Sequence, residues 1–152
     1  VSLWFKEKGK VDEEYMLEDM LRTYLAPGKA DDWTCKRCCQ KGCVQELKIL
    51  RWPQVLCLVL KRFRNVPILG IVKTINRVWF PEILNKFDDR PRYRLRSLCV
   101  GGGMTFKEGH YTCCVRTDEG WFHCDDHKRP KKIDLHTVLT KEAYILFYER
   151  TD

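Results

Sequence analysis

What this chain lacks narrows it first. It has no apolar stretch long enough to cross a bilayer: the longest, Val55 to Leu60, ends at Lys61 and Arg62, whereas a span needs about 20 apolar residues. It has no initiator Met and no basic-then-apolar leader, opening instead on Val1-Ser2-Leu3-Trp4-Phe5. A chain that starts on a strand-like apolar run is expected to be part of something longer. Internal repeats and low-complexity linkers are absent. With apolar residues at 44% and aromatics at 12% of 152 residues, intrinsic disorder is excluded. The length suits one domain with a core of its own.

The cysteines do not follow the arithmetic of a secreted disulfide framework, which wants an even number in a shorter chain. There are nine, and two pairs, Cys38-Cys39 and Cys113-Cys114, are adjacent in sequence; neighbours of that kind rarely bond to each other comfortably. Cys57 and Cys99 lie inside apolar runs, where a free thiol packs as a small hydrophobe. The expectation is a reducing, intracellular setting, cytoplasmic or nuclear. The net charge is +7, concentrated in Lys128-Arg129-Pro130-Lys131-Lys132 and in the alternation Arg90, Arg92, Arg94, Arg96. Neither run is interleaved with aromatics for base stacking. They read as a solvated loop and an exposed strand face, so a nucleic-acid partner is not expected.

The hydrophobic pattern sets out an α+β order. Val1 to Lys6 reads as a strand and Lys8-Gly9-Lys10 as a turn. Leu17, Met20, Leu21 and Tyr24 then recur at helical spacing, with Asp12, Glu13 and Glu14 expected at the helix start and Pro27-Gly28 at its end. Asp31 to Gly42 is a polar, cysteine-rich knuckle. Strands are expected at Val44 to Arg51, at Val55 to Phe63 (apolar on both faces, hence central), at Ile71 to Phe80 and at Tyr93 to Val100. Gly101-Gly102-Gly103 opens a flexible loop that Gly109 closes. Tyr111 to Arg116 and Trp121 to Cys124 flank Thr117-Asp118-Glu119-Gly120, a hairpin signal. A short helix at Asp134 to Lys141 and a last strand at Ala143 to Glu149 complete the chain.

The hairpin carries the chemistry. If its turn pairs Arg116 with Trp121, the register puts Thr112 opposite Asp125. Alternation then places His110, Thr112 and Cys114 on the face of Asp125, with Asp126 on the other. His110 becomes the diagonal neighbour of Asp125, close enough for an imidazole–carboxylate hydrogen bond. A histidine so oriented is one half of a nucleophilic triad, although a surface ion pair would look the same in sequence. Cys114 shares the face but lies four residues along the strand, about 13 Å away at strand rise. Cys113 and Cys124 face each other on the opposite side. A nucleophile is expected from elsewhere.

At this point the residues carry a family resemblance. Val55-Leu-Cys-Leu-Val-Leu-Lys-Arg-Phe63, preceded by Pro53, resembles the strand of ubiquitin-specific proteases that ends in Leu-Lys-Arg-Phe. Gly109-His110-Tyr111-Thr112 is similar to that family's histidine box. Trp121-Phe-His-Cys-Asp125-Asp126 is similar to its tryptophan-to-aspartate box, and Ala143-Tyr-Ile-Leu-Phe-Tyr-Glu149 to its closing strand. Thr34-Cys35-Lys-Arg-Cys38 resembles the second CxxC of its fingers. The resemblance implies a papain-like cysteine protease hand, with palm and part of the fingers. Residues 1–152 would be the C-terminal part of a single catalytic domain, with 31–43 as a fingers knuckle. It implies a thiol-dependent deubiquitinase that cleaves after the C-terminal glycine of ubiquitin or a ubiquitin-like modifier. His110 would be the general base and Asp125 its orienting acid. Gly101, Gly102, Gly103, Gly109, Tyr111 and Asp126 would adjoin the substrate.

The departures from the pattern are specific. No cysteine box with a nucleophile and oxyanion-hole asparagine is present, so the missing N-terminal half becomes an expected partner and the chain alone is expected to be inactive. Cys124 stands where an aromatic usually precedes the acid. Cys113-Cys114 stands where a small residue and an aromatic are more usual. No cofactor is required for the chemistry. A structural zinc is possible, with Cys35 and Cys38 supplying half of a four-thiolate site. Two other readings stay open: a catalytically inactive module that binds ubiquitin or a partner, and a zinc-knuckle nucleic-acid binder.

Overall fold

Alternating apolar residues build the core of this molecule. The computed structural model describes residues 1–5, 13–66, 68, 70–85, 89–101 and 109–152; the expected turn at 8–10 and Gly102 and Gly103 lie outside these. In chain order the elements are β1 (Ser2–Trp4), β2 (Tyr15–Met16), α1 (Leu17–Leu25), β3 (Gly28–Thr34), β4 (Lys41–Gln45), β5 (Val55–Lys61), β6 (Phe63–Val66) and β7 (Gly70–Lys73). They continue with β8 (Val78–Trp79), β9 (Ile83–Leu84), β10 (Tyr93–Gly101), β11 (Tyr111–Thr117), β12 (Gly120–Cys124), β13 (Lys131–Ile133), α2 (Leu135–Leu139) and β14 (Ala143–Arg150). The principal sheet runs β1-β5-β14-β10-β11-β12-β13, with β9 added to β10. Among the described residues of this sheet only β1 and β5 pair in parallel; outside it, β2 and β8 do so too. The fold is α+β, mainly antiparallel, with helices at its margin, as the pattern indicated.

One face of the sheet is buried. Leu56, Leu58 and Leu60 of β5, Leu95 and Leu98 of β10, Cys114 of β11 and Leu146 and Tyr148 of β14 all point inward. Leu17, Met20 and Leu21 of α1 and Val138 of α2 close over them. The other face is half covered and carries Cys57, Cys99, Cys113 and Cys124. β5 is paired on both edges, as its two-sided apolar run requires.

Several expected boundaries move, each for a tertiary reason. The helix begins at Leu17 rather than beside Glu13 and Glu14, because Tyr15 and Met16 pair with Val78 and Trp79. Trp79 Nε1 donates to Glu14 Oε2 at 2.9 Å, and Glu18 and Asp19 supply the first-turn negative charge instead. The 31–43 knuckle is the upper part of a two-stranded ribbon, β3 against β4. The strand expected at 44–51 ends at Gln45, since its partner runs out at Gly28 and Pro27 has no N–H to extend the ladder.

The strand expected over 71–80 is broken into β7 and β8, and Arg62 breaks it. Its guanidinium is 1% exposed and donates to Ala143 O at 2.7 Å, Thr74 O at 3.2 Å and Asn76 O at 2.9 Å. Carbonyls taken by a side chain are lost to a sheet ladder. Glu142, 3.8 Å from Nη1, helps to offset the burial that draws the guanidinium pKa down. Of the arginine run, Arg92, Arg94 and Arg96 are exposed or half-exposed, but Arg90 is buried and donates to Asn85 O at 2.6 Å. Finally, Lys131 to Ile133, expected as loop, adds an edge strand to β12.

Candidate active site

The hairpin places its chemistry by register. Asp118 and Glu119 form the turn, Gly120 takes φ +118, and Arg116 stands opposite Trp121 as expected. The ladder ends with Cys113 opposite Cys124. Trp121 and Cys114 are buried and fix this face against the core. On its other edge β11 pairs with β10 as far as Gly101 opposite Tyr111. His110 immediately precedes β11 and Asp125 immediately follows β12, so both leave the same end of the hairpin.

There His110 Nε2 lies 2.5 Å from Asp125 Oδ1. The Asp125 carboxyl is held below the usual carboxylate range, first by the hydrogen bond from Lys128 and then by that from His110. An ionised carboxylate only accepts, so Nε2 carries the proton and donates it. Nδ1 is then the basic nitrogen. The imidazole is 54% exposed and Asp125 20%, leaving the base accessible and its partner sheltered.

Asp126 departs from the expected geometry. Alternation put it on the opposite face, but the chain leaves the strand at Asp125 and Asp126 adopts φ +47. Its Oδ2 therefore comes to 3.7 Å from His110 Nδ1, beyond hydrogen-bond distance. Lys128 is the residue that sequence reading missed. Its Nζ donates to Asp125 Oδ2 at 2.8 Å and its backbone N–H to Asp125 O at 3.0 Å. The opposite charges of Asp125 and Lys128 at i and i+3 are the signal, while the basic run Lys128–Lys132 by itself reads as a solvated loop. Ligating atoms of His110, Asp125 and Asp126 lie within 4.8 Å of one another, but the Lys128 ammonium already supplies the cation beside Asp125.

The glycine-rich loop begins on a braced strand end. Lys73 Nζ donates to Gly101 O at 2.8 Å and lies 3.0 Å from Glu142 Oε1. A Cβ on Gly101 would come within 3.1 Å of the Tyr111 ring, so glycine lets that ring lie over the strand. Tyr111 is about half-exposed and packs against Tyr144 at 6.0 Å. Gly109 is exposed. Among the cysteines, Cys114 shares the histidine's face but has no exposed surface, and burial pushes its thiol pKa up, the reverse of an activated nucleophile.

Cys35 and Cys38 sit apart, at the turn of the β3–β4 ribbon. The backbone N–H groups of Cys38 and Arg37, in that order, and the Cys38 thiol bond to the Cys35 sulfur and lower its pKa. That arrangement favours a thiolate and fits a soft metal ion. Cys39 takes φ +57 and is exposed, and Cys43 lies on β4.

The sheet, its marginal helices and the ribbon are those of the papain-like cysteine protease hand, in its palm and part of its fingers. The chain belongs to the ubiquitin carboxyl-terminal hydrolase family, whose model matches residues 8–148. It is 37% identical over 128 residues to mouse ubiquitin carboxyl-terminal hydrolase 17-like protein B, covering 78% of this chain and 26% of that protein. It is 33% identical over 149 residues to Arabidopsis thaliana ubiquitin carboxyl-terminal hydrolase 17, covering 88% of this chain and 20% of that protein. The chain thus spans about a quarter or less of these relatives. Among solved structures it is similar to a chain of the SAGA Ubp8/Sgf11/Sus1/Sgf73 DUB module bound to ubiquitin aldehyde. There the TM-score is 0.80 and the identity 27%, over 99% of this chain and 35% of that one.

Proposed function

We propose that this chain is the C-terminal part of a thiol-dependent deubiquitinase domain, in which His110 is the general base and Asp125 the residue that orients it. The observation that carries the reading is the 2.5 Å contact between His110 Nε2 and Asp125 Oδ1, which leaves Nδ1 as the basic nitrogen. A thiolate supplied by another part of the protein attacks the carbonyl of the C-terminal glycine of ubiquitin. His110 takes the thiol proton, passes it to the leaving amine, and later activates the water that releases the acyl group. Asp125 stabilises the imidazolium that forms between these steps. Gly101, Gly109 and Tyr111 adjoin the extended modifier tail, where small residues let a backbone pass closely.

Cys35 and Cys38 supply half of a structural zinc site in the ribbon, the other two thiolates coming from a second strand pair. The metal would hold the ribbon's turn and takes no part in hydrolysis.

The test is His110→Ala in the full-length protein, with turnover of a ubiquitin C-terminal amide and affinity for ubiquitin measured separately. Turnover falls by several orders of magnitude while affinity changes little, since the imidazole contributes little to the surface that holds a folded modifier. Unchanged turnover would leave His110 as a surface partner of Asp125 and favour the inactive binding module.

A further inference from the structure

Two of the positions at which the boxes depart from the ubiquitin-specific protease pattern, 113 and 124, face each other. Cys113 and Cys124 are partners across the β11–β12 ladder. Directly opposed residues in an antiparallel pair have Cα atoms about 4.5–5.5 Å apart, inside the range of about 4.4–6.8 Å that a disulfide spans. Both are free thiols and half-exposed. Cys124 also lines an open cavity of about 550 Å³ with Val115, Thr117, Phe122 and Pro130, which admits a small oxidant. Cys99 stands opposite Cys113 on its other side, but it lies between β11 and β14 in the middle of the sheet, and burial pushes its thiol up.

We infer that Cys113 and Cys124 are a redox-sensitive dithiol that closes reversibly to a cross-strand disulfide under hydrogen peroxide. The bond would staple the open end of the hairpin, one residue before Asp125 and three after His110. The steps balance. The Cys124 thiolate attacks one peroxide oxygen and the O–O bond breaks, giving a sulfenic acid and, after protonation, water. The Cys113 sulfur then displaces hydroxide from that sulfenic acid, forming the S–S bond and a second water. Two thiols are oxidised and one peroxide is reduced to two waters. Cys113, whose thiol is pushed up first by burial and then by Cys124, suits the resolving role better than the attacking one. The inference does not depend on the hydrolytic reading, because neither sulfur belongs to the His110–Asp125 pair.

The test treats the native protein with graded hydrogen peroxide, blocks remaining thiols and maps tryptic peptides by mass. The expected product links peptide 108–116 to peptide 117–128, and dithiothreitol reverses it. Because the first peptide also holds Cys114, the link must persist in Cys114→Ala and vanish in Cys113→Ser and in Cys124→Ser. Amide exchange at Tyr111, Thr112 and Asp125 slows in the oxidised form. Advance of Cys124 to sulfinic acid while Cys113 remains a thiol would overturn the proposal. So would both staying reduced at doses that oxidise Cys35 and Cys38, or a link that forms without slowing exchange at the hairpin end.

Discussion

The β11–β12 hairpin and the β3–β4 ribbon are both antiparallel pairs with polar functional residues at one end, yet they hold those residues by different means. The hairpin sits inside the large sheet, bounded by β10 and β13, and buries Trp121 and Cys114. Its register is therefore fixed, since a one-residue slip would turn a buried face to solvent. Among the described residues the ribbon pairs only with itself; it shifts register between Ala30 and Thr34, and exposes Trp33 and Val44. Packing places His110 and Asp125. Nothing comparable places Cys35 and Cys38, which depend on local N–H bonds to sulfur and on whatever a metal would add.

The contrast predicts a graded set of effects. Largest is the loss at the hairpin end: in the full-length protein, Asp125→Ala should lower turnover on the order of 10³–10⁴-fold, the scale expected when a triad histidine loses its orienting acid. Asp126→Ala should cost about tenfold or less, because its carboxylate stands 3.7 Å from Nδ1 and makes no hydrogen bond to it. Equal losses from steady-state kinetics on the two variants would break the assignment.

Next is the anchor beneath the hairpin's sheet. Arg62→Met strands three backbone carbonyls, while Glu142 keeps Lys73, and should reduce unfolding free energy by about 3–5 kcal/mol, read by urea denaturation. A change below about 1 kcal/mol would show that Arg62 does not hold the β6–β8 region to β14.

Smaller and local is the response of the ribbon. Chelation of a zinc-loaded full-length protein, or Cys35→Ser, should speed proteolysis within 28–45 and leave amide exchange in β11 and β12 unchanged. Coupled loosening of both regions would refute their independence.

The smallest effect is electrostatic. Because Lys128 and His110 lower the Asp125 pKa, the pair's contribution is complete above the unfolded carboxyl value and disappears as pH falls through the lower folded one. Lys128→Ala should raise the Asp125 titration point toward the ordinary range, so the His110 contact is lost at a higher pH than in the wild type. Carboxyl ¹³C titration checks the direction.

The site was more legible in the sequence than the fold's margins were. The two-residue turn fixed a register, and register with parity was enough to join His110 to Asp125 fifteen residues away. Parity fails where strands end, which is why it puts Asp126, which takes a left-handed turn conformation, on the wrong face. Lys128 was hidden because a turn, unlike a strand, has no periodicity to project along. The helix start at Leu17 and the break between β7 and β8 were likewise invisible. Both are imposed by long-range partners, Val78–Trp79 and Arg62, whose pull on the backbone leaves no local trace. Hairpin register already sets Cys113 opposite Cys124, as the structure has them, but Cys57 and Cys99 read only as isolated small hydrophobes, because their place beside that pair needs the complete strand order.

The most direct measurement is the tautomer of His110, from long-range ¹H–¹⁵N correlation of the imidazole at neutral pH. The account predicts that neutral His110 carries its proton on Nε2, donated to Asp125, with Nδ1 unprotonated, and that Asp125→Ala abolishes this preference. A proton on Nδ1, or a tautomer population indifferent to Asp125→Ala, would contradict the claim that this pair presents a base.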